Sequence, residues 1–97
     1  MGSYKWEIEH NCDVGEVLEV LQGQRFEPSE EKTTETNVLY TYERVINNWK
    51  PLQADVKETA VTFSFHWMGH ETTEVYYDYL MKSGVYIGII MSELNAL

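Results

Sequence analysis

Between Glu58 and Leu94 apolar and polar residues alternate so regularly that a strand register can be written from the sequence alone. Val61, Phe63, Phe65 and Trp67 alternate with Thr62, Ser64 and His66, the period of a half-buried strand. A turn over Met68–Thr72 leads to Thr73–Met81, and Lys82-Ser83-Gly84 turns into Val85–Leu94. Both connections contain glycine and have hairpin length. Pairing Trp67 with Thr73 and Met81 with Val85 puts Val61, Phe63, Phe65, Trp67, Val75, Tyr77, Tyr79, Met81, Val85, Ile87, Ile89 and Met91 on one face. A slip of one residue would exchange the two faces of a strand, so loop length and pattern must agree. The spacing predicts a C-terminal three-stranded antiparallel meander.

Upstream, Tyr4–His10 alternates in the same way, with Tyr4, Trp6, Ile8 and His10 against Lys5, Glu7 and Glu9. From Asp13 the period lengthens. Val14, Val17, Leu18 and Leu21 mark a helix with Asp13 as N-cap and an end near Gly23. Phe26–Thr36 reads as an acidic connecting loop containing Pro28. Val38, Leu39, Tyr42, Val45, Ile46 and Trp49 form a second helical stripe that stops at Lys50-Pro51. The expectation is a single α+β domain over 1–97, ordered β-α-α-β-β-β, with two helices on one face of an antiparallel sheet.

Charge narrows the function. The chain has 16 acidic and 7 basic side chains in 97 residues, a formal charge of -9. Residues 1–35 hold nine acids and three bases, and residues 58–97 hold five acids and one base. Such a field repels nucleic acid and anionic membranes and attracts basic surfaces. Direct nucleic-acid binding also needs a basic stripe, and the bases here are dispersed among acids. One cysteine, Cys12, excludes an intramolecular disulfide and favours a reducing, cytoplasmic setting. The N-terminal residues lack the apolar stretch of a signal peptide, and the apolar run near Val85–Met91 is too short to span a bilayer.

No motif names a reaction. A phosphate-binding loop, a dinucleotide fingerprint and a Gly-x-Ser-x-Gly elbow are all missing from the sequence. Asp13 and Glu9 oppose a Cys12 thiolate, so an enzyme is not expected. All histidines and the cysteine fall in two clusters, His10-Asn11-Cys12 and His66–His70, whose ligand types suit zinc. In a simple up-down arrangement of the helices those clusters lie about 20 Å apart at roughly 3.3 Å per strand residue. No metal or cofactor is expected.

In the inferred register the second sheet face carries Glu74, Tyr76, Asp78, Tyr86 and Ile90, with Glu7 and Glu9 able to join from the first strand. Tyrosine and aliphatic anchors among acids on a rigid sheet suit a basic protein surface. The bland alternative is an ordinary solvated sheet face with scattered apolar residues. The expected function is a small acidic binding protein that antagonises a basic nuclease or other nucleic-acid-handling protein. Phage counter-defence and toxin-immunity proteins often share this size and charge. A homodimeric structural or adaptor subunit is the alternative, and a zinc-stabilised module the third.

Overall fold

The computed structural model describes residues 2–31, 33–67 and 73–97. The chain runs β1 (Gly2–Glu9), α1 (Val14–Gly23), β2 (Glu27–Pro28), β3 (Tyr40–Ile46), β4 (Lys50–Val56), β5 (Ala60–Trp67) and α2 (Thr73–Asn95). The five strands form one antiparallel sheet in the order β1-β5-β4-β3-β2. The α+β class, the antiparallel sheet, the three-stranded meander and the two helices packed together all stand. The meander is β3-β4-β5, however, and the element order is β-α-β-β-β-β-α.

Two regions exchange their expected structures. Residues 38–49, expected as a helix, contain β3. Its inward row is Tyr42, Arg44 and Ile46, and the charged middle member conceals the period of two. Arg44 lies over the Tyr86 ring, 3.8 Å from its centroid, and donates to the Tyr86 hydroxyl and the Gln24 carbonyl at 2.9 and 2.7 Å. Asn47 and Asn48, at φ 57° and 55°, make the left-handed turn into β4. Pro51, which suggests a helix stop, sits where β4 has only β3 beside it, because pairing with β5 begins at Gln53. The proline therefore removes no hydrogen bond from a two-sided part of the sheet.

Residues 73–81 and 85–94, expected as two strands joined by a turn at 82–84, form the single helix α2. Tyr76, Tyr79, Leu80, Ser83, Tyr86, Ile87, Ile90 and Leu94 recur at three- and four-residue steps and are buried or half-buried. Val75, Tyr77, Met81, Val85, Ile89 and Met91 beside them are apolar too, so a strand period fits the same letters. The expected turn at 68–72 lies outside the described residues.

The core lies between the helices and the sheet's inner rows. Phe63 is flanked by Phe26, and Phe65 by Tyr79, with ring centroids 6.1 and 4.5 Å apart. Val17 and Leu21 of α1 are fully buried against this layer. Asp13 caps α1 as expected, with its N–H donating to Glu16 Oε1 at 3.2 Å. The helix closes with Phe26 N–H on the Leu21 carbonyl and Arg25 N–H on that of Gln22, and Arg25 takes the left-handed position at φ 66°. Phe26, expected in the connecting loop, is thus a core residue, and the loop contributes β2.

Candidate protein-interaction surfaces

One side of the sheet carries no helix. Side chains alternate across a strand, so β residues between the core positions point here. Cross-strand partners run Glu7–Thr62–Asp55–Thr41 in one row and Lys5–Ser64–Gln53–Glu43–Glu27 in the next. Glu35, from the segment after β2, accepts a hydrogen bond from Lys5 Nζ. Lys57 Nζ stands 3.5 Å from Glu35 and 3.8 Å from Glu7. Both lysines are therefore already committed to carboxylates.

Farther along the rows the acids are not held in such ion pairs among the described residues. Glu27 is directly opposite Glu43, a like-charge pair that costs stability. Among the described residues, no salt bridge reaches Glu27, Glu31 or Glu43. Glu31 and Glu43 line a cleft of about 190 Å³ that Lys50, Gln53 and His66 help to complete. Deeper in this face Asp55 is buried, accepting from Thr41 Oγ1 at 3.0 Å. Burial pushes its carboxyl above the ordinary value, and the Thr41 hydrogen bond works against that. Lys5 instead holds Glu35 below the usual carboxylate range, through their hydrogen bond. Next to Asp55, Thr62 Oγ1 is buried with no hydrogen-bond partner among the described residues.

The solvent side of α2 is of the opposite kind. Tyr77, Met81, Val85, Ile89 and Met91 are 60, 65, 55, 38 and 45% exposed. Between positions 77 and 92 the only charged residues are Asp78 and Lys82, which pair at 3.4 Å. Asp78 also accepts from Asn47 Nδ2 at 2.6 Å.

The seven residues expected to form one patch are divided by the change from strands to helix. Glu7 and Glu9 stand on the helix-free face, as their alternation along β1 requires. Glu74 is exposed in the first turn of α2, away from them. Tyr76 is half-buried in an aromatic cluster with Tyr4 and Phe65, at centroid distances of 5.8 and 6.3 Å. Tyr86 is engaged beneath Arg44, and Ile90, at 0% exposure, belongs to the core. Ile90 therefore offers no surface anchor. Sequence reasoning passed over Glu27, Glu31, Glu35 and Glu43. The first three stood out as an acidic run, but nothing in the sequence said that the run folds back beside the sheet.

The Cys–His cluster is a structural clasp. His10 Nδ1 accepts from Cys12 N–H at 3.1 Å, and Nε2 faces the Lys57 carbonyl at 3.4 Å. Cys12 Sγ donates to the Leu94 carbonyl at 3.3 Å, tying the β1–α1 corner to the end of α2. His66 pairs with Ser3, seven residues from His10 along β1, or roughly 23 Å at about 3.3 Å per residue. His70 lies outside the described residues. Among the described residues, no three His, Cys, Asp or Glu side chains are placed to hold a metal ion. No described helix is long and apolar enough to cross a membrane.

Comparison with known proteins gives no matching family model, and neither curated proteins nor solved structures match the chain.

Proposed function

We propose that this chain is a non-catalytic binding module whose helix-free sheet face receives the basic surface of a nucleic-acid-handling protein and so antagonises it. The observation that carries this is the group of acids at the β2–β3 side of the sheet that no salt bridge reaches among the described residues. Glu27, Glu31 and Glu43 have no salt-bridge partner among the described residues, and Glu27 repels Glu43 across the strand pair. A fold gains nothing from that repulsion, whereas an incoming lysine or arginine would relieve it. Glu27 and Glu43 stand on paired strands, so part of the negative field is fixed in direction before the partner arrives. Such a field accelerates encounter and competes for the groove in which the partner holds phosphates.

The test is co-purification from the native host, followed by association kinetics on the captured partner. Reversing charge with Glu27→Lys and Glu43→Lys should lower the association rate about tenfold and flatten its dependence on salt. Added nucleic acid should displace the chain from that partner. A captured partner with an acidic contact surface, or rates indifferent to both substitutions, would overturn the proposal.

A further inference from the structure

We infer that the outer face of α2 docks on the same face of a second copy, the two helices running antiparallel about a two-fold axis between Gly84 and Val85. This concerns a different surface from the acidic sheet face and does not depend on it. A surface helix normally has one apolar stripe, facing the core. The apolar stripe of α2 that faces the core is occupied, yet Tyr77, Met81 and Val85 continue along the opposite side, with Ile89 and Met91 flanking them.

The area suffices for a dimer. At about 150–230 Å² per fully exposed side chain, the exposed fractions of those five residues leave roughly 500 Å² of apolar surface open. Doubled across a two-fold axis this gives about 1,000 Å², the lower bound for a specific interface. Glycine backbone and the rim residues add to it.

The pattern is also complementary to itself. Large residues Tyr77, Met81 and Val85 recur every four positions, and small residues Gly84, Gly88 and Ser92 do the same on the same side. Under the proposed two-fold, Val85 meets Gly84 of the second copy, Met81 meets Gly88, and Tyr77 meets Ser92. Each contact occurs twice, as an isologous interface requires. A Cβ built at Gly84 or Gly88 meets no atom within 4 Å, so packing within the chain does not require either glycine. Each nonetheless lowers helix propensity by about 1 kcal/mol relative to alanine. Close approach of another helix accounts for both. Charge points to the same occupant. A copy bearing a charge of -9 is repelled by most of this surface, but over 77–92 the only charges, Asp78 and Lys82, neutralise one another.

The test is sedimentation equilibrium of the full chain up to about 100 μM, where even a Kd of about 10 μM populates the dimer. Wild type should approach twice 11.4 kDa. Met81→Asp should weaken association at least about a hundredfold while leaving the circular dichroism spectrum and melting of the monomer unchanged. Gly88→Leu should weaken it at least about tenfold yet raise the melting temperature of the monomer, because only the dimer needs the notch. A wild-type chain monomeric throughout that range overturns the inference and leaves the face to an unrelated apolar partner. A dimer that survives either substitution overturns the proposed pairing.

Discussion

The helix-free side of the sheet and the outer side of α2 differ in nearly every physical respect. The helix-free sheet face is acidic, holds Lys5 and Lys57 in ion pairs with Glu7 and Glu35, and leaves Glu27 facing Glu43. The outer face of α2 is apolar, with a single internally neutral pair of charges over 77–92. A net charge of -9 read from composition gives no hint of this division. The proposed electrostatic steering and the proposed apolar docking fall on separate surfaces, so each can be altered without disturbing the other.

The largest expected effect comes from the layer that both faces share. Phe63→Ala removes a fully buried ring beneath α1 and α2 and should cost about 3–5 kcal/mol in chemical denaturation. A loss below about 1 kcal/mol would mean that the helices do not rest on β5. Next in size is the about tenfold fall in association rate from Glu27→Lys and Glu43→Lys, equivalent to about 1.4 kcal/mol. The same changes should leave folding stability unchanged or slightly raised, because a like-charge pair is removed. Loss of stability together with loss of binding would assign those acids to the fold instead.

Thr62→Val should stabilise by about 1 kcal/mol, since it replaces a buried hydroxyl that has no hydrogen-bond partner among the described residues by a methyl group of similar size. Asp55→Asn should have the smallest effect, and its sign depends on pH. A carboxyl raised by burial binds its proton more tightly when folded than when unfolded. Its ionised form therefore costs stability above the raised value, and that cost fades as pH falls through it towards the ordinary 3.8. The asparagine variant should melt higher than wild type near neutral pH, with the gain shrinking towards about pH 4. A constant difference across that range would show that Asp55 does not titrate differently in the folded chain.

Much of the architecture was legible because its signals were local. The alternation at Tyr4–His10 and Val61–Trp67, the Asp13 cap and the Val17–Leu21 stripe each require only neighbouring residues. The exchanged regions required tertiary information. Arg44 faces inward because Tyr86 and the Gln24 carbonyl receive its guanidinium, and neither is near it in sequence. In α2, apolar residues on both sides satisfy periods of two and of 3.6 alike, and the β-branched and aromatic content favours the strand. Of the residues proposed to bind, Glu7 and Glu9 were readable on one face from β1 alone. The Glu27–Glu43 pair was not, because it depends on β2 folding back along β3.

The central claim is that cationic protein surfaces are received by the sheet face and not by α2. Titrating a lysine- and arginine-rich peptide into isotope-labelled protein, with amide shifts followed by NMR, tests it most directly. The account predicts the largest shifts at Glu7, Glu27, Glu31, Glu43 and Gln53, their disappearance in the Glu27→Lys, Glu43→Lys double variant, and little change across 77–92. Shifts concentrated on α2, or unchanged in the double variant, would contradict it.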